Sequence, residues 1–426
     1  DQTSALSFMI LEAAHRMNTT CNLTIRVHDG LDESLLRRAI EILLEDRKGF
    51  PRFSGDTALV TGFMKNGYPA SLARQRIAVG CNWMSLPGLE YTMNDLIKIN
   101  LAKVFEVAYQ EYSETPGEKS VTALYELYQA HLAKAVQCVA EGIDFHLANQ
   151  YRNAPELTLN LISHGPIEKG LDASHGGLEY YNIAVDASGL ATTADSFAAL
   201  EQRVEKEKIW DWDTVYQAVQ SDFAGTEGER IRQALWHGPR YGYGGSLGDA
   251  WADRLSQGFT KAIASRRTPK GVLMIPGLFS WANTVMFGEM VGANPNGRHA
   301  RVPISHGANP NPGFRQDGAV TALSAAVARV QPGYGNTAPL QLEFDPQLKP
   351  GKEAVDVIEN LIRTHFALGG TLININILDG EKLMAANKNP ALYPDLVVRV
   401  TGFTAYFATL SPKFRQLVVD RFLYGV

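Results

Sequence analysis

Helix-like and strand-like segments alternate along almost the whole chain, and this alternation restricts the fold more than any single motif. Residues 1–17 and 32–46 carry helical periodicity, the second opened by Asp32 before "ESLLRRAIEILL", an N-cap signal. "CNLTIRVH" between them reads as a strand, and "ALVTGFMKNGY" and "RQRIAVGCNW" read as short strand or turn segments. The pattern predicts helices from about Asn94 to Tyr112, from Val121 to Glu141, over 195–235 and over 249–266. "APELTLNLI" and "LEYYNIAVD" are strand-like pieces around a Gly/His-rich loop, and "GVLMIPGLFSWAN" predicts a buried strand with a loop. Residues 294–318 form a Pro/Gly/Asn-rich loop. A helix, the strand "QLEFD", a helix over 352–368 and the strand "TLININIL" follow. Apolar strands alternating with helices predict a parallel or mixed sheet covered by helices, an α/β barrel.

Bulk properties remove several classes of function. The 426 residues are 45% hydrophobic and 20% charged, an ordinary globular composition with room for two or three domains or one large barrel. A net charge of −5 leaves no electrostatic footprint for nucleic acid or an anionic membrane. Cys21, Cys81 and Cys138 form no CxxC or Cys/His cluster, so neither a metal site nor a disulfide framework is expected, and a reducing cytoplasm fits best. No apolar stretch approaches the roughly 20 residues of a membrane span. The opening "DQTSALSFMILEAAHRM" does not read as a signal peptide. It is helical in character from the outset, as expected of one part of a longer polypeptide.

Near the C-terminus, "VVRVTGFTAYF" places Gly402 inside a β run. The plain reading is a bulge or a close backbone approach. The surroundings add a second reading. "RVTGFTAYF" resembles the glycyl-radical signature of the pyruvate formate-lyase superfamily, and "TLININILDGEKLMAANKNPALYPDLVVRVTGF" resembles the approach to it. Upstream, "GANPNGRHARVPISHGANPNPG", "IEKGLDASHGGLEYYN" and "GFPRFSGDTALVTGFMKNGYPASLARQRIAVGCNW" resemble other segments of that family in the same order. The resemblance implies a radical stored on Gly402 and passed to Cys81, whose thiyl form abstracts hydrogen from substrate. Chemistry explains the glycine. An unpaired electron between an amide nitrogen and a carbonyl is delocalised by both only at a planar α-carbon, and glycine alone has no side chain to clash there. The radical also needs burial, for which Val397, Val398, Val400, Phe403 and Phe407 form an apolar frame. Arg399, Thr401 and Phe403 are the expected supports of the radical loop. Cys21 and Cys138 are expected to be packing residues.

Within the superfamily, absences sort the branches. Formate-lyases use two adjacent cysteines, but Asn82 follows Cys81. Anaerobic ribonucleotide reductases carry paired CxxC zinc ligands, and none occur. The Cys81 loop offers no arginine for the carboxylate of a fumarate-adding enzyme. It resembles instead the dehydratase, eliminase and decarboxylase branch, keeping Pro87, Gly88, Asp95, Asn100, Leu101 and Ala102. One position departs: Trp83 stands where that branch has a glutamate that removes a hydroxyl proton. An indole N–H only donates. Trp83 either shapes an apolar pocket or forms a wall while another group supplies the base. Asn94 and Lys98, four apart on the predicted helix, share a face and join Asn82 and Trp83 as pocket candidates. The plainer reading of Lys98 is a solvated lysine. His164, His175 and His306 are further acid–base candidates, more plainly read as loop-fixing residues. Arg298 and Arg301 are expected to anchor the 294–318 loop.

The fold implied is the ten-stranded α/β barrel of glycyl radical enzymes, with the cysteine and glycine finger loops inside and this chain supplying the C-terminal half. Residues 1–293 would be the barrel part and 294–426 the glycine radical domain. The implied activity is radical cleavage of a C–X or C–C bond. The alternatives are a non-catalytic barrel subunit and a radical C–C bond-forming enzyme. Implied partners are a radical-S-adenosylmethionine activating enzyme, a small-molecule substrate, an N-terminal half or partner subunit, and further copies of the chain. No bound metal or organic cofactor is expected.

Overall fold

The computed structural model describes residues 3–17, 21–264, 266–279, 283–312, 320–344, 351–400 and 402–424; the side chains of Asn94, Asp95 and Tyr424 lie outside that description. Thr401 lies outside it altogether. Two larger sheets carry the architecture. One runs in the order β1 (Thr24–Val27), β2 (Arg52–Gly55), β9 (Leu372–Ile377), β8 (Pro339–Phe344). Its pairs β1–β2 and β8–β9 are parallel, and β2–β9 is antiparallel. The other is wholly parallel: β5 (Glu90–Asn100), β6 (Tyr180–Ser188), β7 (Leu273–Gly277). The sheets approach where the Leu278 N–H donates to the Thr337 carbonyl, 3.4 Å apart. The described residues therefore supply seven strands to these two sheets, with β1 and β5 at their outer ends, a mixed helix and sheet arrangement in keeping with part of the expected α/β barrel.

The period of two explains the sheets' two faces. Ile25, Val27, Phe53, Ile183, Val185, Met274, Leu340, Leu342, Ile373 and Ile375 point outward into the main apolar core. The helices Glu33–Asp46, Leu101–Glu114, Val121–Asn153, Leu190–Leu200, Leu247–Ala264 and Lys352–Ala367 cover that face. The intervening residues point the other way. Arg52, Ser54, Asn182, Asp186, Gln341, Asn374 and Asn376 are buried although polar. Polar side chains on an enclosed inner face need partners there, and two hairpins supply many of them.

Three predicted elements fold otherwise. Residues 94–100 belong to strand β5, and the helix starts at Leu101. "ALVTGFMKNGY" lies mostly in the helix Asp56–Lys65, which turns Leu59 and Phe63 to one side of a small apolar cluster. "APELTLNLI" contains the helix Leu157–Ile162 in place of a strand.

One buried histidine gives the fold a pH dependence. His365 is 0% exposed, with Nδ1 3.0 Å from Ser324 Oγ. Burial pushes its imidazole down to about 4. The folded state holds it neutral, whereas the unfolded chain protonates it near 6.5. Stability is thus complete above pH 6.5 and falls as pH drops toward 4, by about 1.4 kcal/mol per pH unit. Between pH 7 and pH 5 the wild type is expected to lose about 2 kcal/mol more than His365→Asn, read from urea midpoints. Equal losses would remove His365 as the cause.

Candidate active site

Two short hairpins meet inside the sheets. The first is β3 (Ile77–Val79) and β4 (Trp83–Ser85), paired antiparallel with Cys81 at the tip. Its turn uses Gly80 at φ +50° and Asn82 at φ +92°, a conformation asparagine tolerates better than most residues. The second is β10 (Val397–Arg399) and β11 (Thr404–Tyr406), with Gly402 in its turn. The Val400 N–H donates to the Phe403 carbonyl at 3.0 Å and closes that turn.

The tips touch. A Cβ built on Gly402 would lie 2.6 Å from Cys81 Sγ and 2.3 Å from Cys81 Cβ. No side chain fits at 402 while Cys81 stays in place, and the Cα–H bond along that direction points into the cysteine. Both residues sit as a hydrogen-atom exchange requires, in contact and with Gly402 buried.

Each hairpin is fixed by polar groups of the inner face. For the cysteine hairpin, Arg76 forms a bidentate pair with Glu90 at 2.7 and 2.9 Å, both side chains fully buried. Arg76 also donates to the Met84 carbonyl at 2.7 Å and lies 3.6 Å from the Phe63 ring centre. Tyr68 donates to Glu90 at 2.9 Å, as does the Leu86 N–H at 3.2 Å. Loss of either member of such a pair leaves a buried charge, typically worth about 3–5 kcal/mol. For the glycine hairpin, Asn376 exchanges two hydrogen bonds with the Arg399 backbone, at 2.5 and 2.8 Å. Arg399 Nε donates to Asn374 at 3.2 Å and Nη1 to Asn22 at 3.2 Å. Arg421, from the helix Pro412–Tyr424, donates to the Val400 carbonyl at 2.8 Å and pairs with Glu343 at 3.1 Å. Burial pushes the Glu343 carboxyl up and the Arg421 guanidinium down. Val398, Val400 and Phe407 close the hairpin against Val418 and Val419.

Between the tips lies Arg52, 1% exposed on β2. It donates to the carbonyls of Gly402 at 2.7 Å and Gly80 at 2.9 Å. Burial lowers its pKa to about 10. Arg399 is pushed well below its ordinary value by burial, then by the like charge of Arg52. Two guanidinium groups therefore make the surroundings of the Cys81 sulfur electropositive.

The pocket candidates fall unevenly. Asn82 is fully buried and donates to Ser54 at 3.3 Å, while its Oδ1 has no partner among the described residues. Trp83 is 2% exposed and packs with Phe63, Met84, Ala184 and Ile275, its ring centre 6.1 Å from that of Phe63. Its indole N–H likewise lacks an acceptor among the described residues. Lys98 is neither helical nor solvated. It stands beside Asp186 in the β5–β6 register, its Nζ 3.5 Å from Asp186 Oδ2 and 3.3 Å from the Phe279 carbonyl. Asn336 donates to Asp186 at 2.8 Å. That bond passes over Gly277, where a Cβ would lie 2.0 Å from the Asn336 amide. Asn94 shares the strand with Lys98, so the expected helix face does not exist.

Other expectations are corrected. Phe403 is 39% exposed and contributes little to the apolar frame, whereas Val397, Val398, Val400 and Phe407 are buried. Cys138 is exposed and not a packing residue, while Cys21 packs against the main core. His164 and His175 are exposed. The buried Nε2 of His306 has no partner among the described residues, and burial pushes that imidazole down to about 3. Arg298 anchors its loop through the carbonyls of Gly288 and Gly292, while the Arg301 side chain is exposed. Sequence reasoning missed Arg52, Arg76, Glu90 and Arg421. The one available signal was arginine in otherwise strand-like runs, "PRFSG" and "RQRIAVG".

Comparison with known proteins identifies the family and the fold. The family model described as Pyruvate formate lyase-like matches residues 1–288, and that described as Glycine radical matches residues 304–408. Trans-4-hydroxy-L-proline dehydratase of Clostridioides difficile is 26% identical over 99% of this chain and 55% of its own length. Isethionate sulfite-lyase of Oleidesulfovibrio alaskensis is 25% identical over 99% of this chain and 53% of its own. The glycerol-bound form of the B12-independent glycerol dehydratase from Clostridium butyricum superposes with a TM-score of 0.91 at 25% identity, covering 99% of this chain and 55% of that one. The chain thus spans about half the length of the curated relatives it matches.

Proposed function

Because this chain belongs to the pyruvate formate lyase-like family and carries a glycine radical domain, we propose that it is the radical-bearing part of a lyase that cleaves a C–O, C–N, C–S or C–C bond. The contact between the Cys81 side chain and the Gly402 α-carbon supports this reading above all. Gly402 stores an unpaired electron after an activating radical-S-adenosylmethionine enzyme has removed one α-hydrogen. The Cys81 S–H then gives its hydrogen atom to the Gly402 α-carbon, leaving a thiyl sulfur and an ordinary glycine. The thiyl takes a hydrogen atom from a substrate C–H bond. The substrate radical expels its leaving group, and the product radical recovers hydrogen from the Cys81 S–H.

Substrate contacts are proposed next to the sulfur. The Asn82 oxygen and the Trp83 N–H are buried beside it without partners among the described residues, a state that costs about 1–3 kcal/mol per group. A bound molecule offering one donor and one acceptor relieves both. Trp83 cannot take a proton, so we assign proton handling to Lys98 and Asp186, a buried pair on the same inner face as Ala184, against which Trp83 packs. The activating enzyme, a chain supplying further strands, further copies of this chain and a cytoplasmic location remain part of the proposal. So does a boundary near residue 293, which is consistent with family matches ending at 288 and resuming at 304.

Trp83 also favours a second reading, a barrel subunit that has lost its chemistry. Anaerobic activation followed by electron paramagnetic resonance separates the two. The lyase reading expects a doublet from one α-hydrogen coupled to the Gly402 spin. Silence in the presence of an activase that works on a relative supports the subunit.

A further inference from the structure

The fork of Arg52 joins three chain segments at once. Nη1 donates to the Gly402 carbonyl at 2.7 Å, Nη2 to the Gly80 carbonyl at 2.9 Å, and Nε to Thr24 Oγ1 at 2.7 Å. Gly80 immediately precedes Cys81, so one planar cation binds the residue before the sulfur and the residue expected to carry the spin. Among the described residues no carboxylate accepts from Arg52; its partners are two carbonyls and a hydroxyl. Burying an arginine without a carboxylate is costly, and an apolar side chain on β2 would fill the same place with less penalty.

We propose that Arg52 is a positioning residue for radical storage, which clips the two hairpin tips together so that hydrogen passes between Cys81 and Gly402. This rests on the reading of Gly402 and Cys81 given above. A glycyl radical is stabilised by a donor nitrogen on one side and an acceptor carbonyl on the other. A hydrogen bond from a cation is roughly twice as strong as a neutral one, and it makes that carbonyl a better acceptor. The second nitrogen holds Gly80, which keeps the sulfur against the α-carbon. Lysine carries the charge but not the rigid fork; glutamine carries neither.

The test uses the activated protein under anaerobic conditions and needs no substrate. The Cys81 S–H exchanges with solvent, so in D2O the hydrogen remaining on Gly402 is replaced by deuterium through the sulfur and the doublet collapses. Wild type, Arg52→Lys and Arg52→Gln are compared for collapse rate and radical lifetime, with circular dichroism reporting the fold. Collapse in Arg52→Gln is expected to slow by about tenfold or more and its radical to decay faster, with Arg52→Lys between it and wild type. Wild-type collapse and lifetime in a folded Arg52→Gln overturn the proposal. If Arg52→Gln does not fold, Arg52→Lys carries the test, and wild-type behaviour there overturns the need for the fork. A wild type with no doublet fails the underlying reading; a wild-type doublet matched by the variants fails the Arg52 proposal alone.

Discussion

Gly402→Ala is expected to leave the protein silent in electron paramagnetic resonance after activation and uncut after exposure to air. Two physical reasons converge. A methyl group at 402 would lie 2.6 Å from Cys81 Sγ and 2.3 Å from its Cβ, distances that force one hairpin to retreat. Overpacking of this kind costs about 1–3 kcal/mol, which the hairpin anchors at Asn376, Arg399 and Arg421 can absorb without unfolding. Retreat also breaks the contact through which spin passes. Independently, a side chain on the α-carbon opposes the planar geometry that lets nitrogen and carbonyl share the electron. In wild type, oxygen attack on the radical should cut the backbone at 402 and release the last 25 residues or so, 402 to 426. Mass spectrometry after aeration reads the cut. A doublet or a cut in Gly402→Ala would show that the spin sits elsewhere.

What the sequence made legible was local chemistry. Gly402 and Cys81 stood out through the resemblance of several segments in the same order, since a glycine in a strand or a lone cysteine has plainer uses. The frame holding them did not stand out, because its pairs are distant in sequence. Arg52 and Gly402 are 350 positions apart, and Arg37 and Glu359 are 322 apart. Nothing in a strand such as "TLININIL" announces that Asn374 and Asn376 face inward to hold a hairpin; it shows only that they share a face.

The misread segments have physical causes as well. In β5 the ladder with β6 shifts register between Met93 and Ile97. Met93 and Ile97 pair with Ile183 and Val185, so β5 carries two more residues than β6 across this irregularity, and there the spacing of Met93, Leu96 and Ile97 imitates a helix. Pairing with a central parallel strand then overrides the local pattern. In "APELTLNLI" the error runs the other way. Leu157 and Leu161 are 69% and 73% exposed, so the alternation of Leu157, Leu159 and Leu161 with Thr158 and Asn160 marks no buried strand face. Lys98 was misplaced by the first error, and only the β5–β6 register brings it to Asp186.

Cys81→Ser is expected to accept the radical and then do nothing with it. Serine is nearly the shape of cysteine, so Gly80, Asn82 and the contact with Gly402 should persist, and activation removes a hydrogen from Gly402 without calling on residue 81. The doublet should therefore appear at wild-type intensity. An alcohol O–H bond is much stronger than a thiol S–H bond, and transfer of its hydrogen to a glycyl radical is steeply uphill. An added barrier of only about 4 kcal/mol slows transfer roughly a thousandfold. In D2O the doublet should consequently persist, while that of wild type collapses. A substrate offered to the activated variant should leave its spin untouched, because no group remains to relay it. A doublet that collapses in Cys81→Ser as fast as in wild type would mean that hydrogen reaches Gly402 by another route, and the pairing of sulfur with α-carbon would lose its purpose. A variant without any doublet, but still folded, would instead make Cys81 a requirement of activation, contrary to a mechanism in which storage and use of the radical are separate steps.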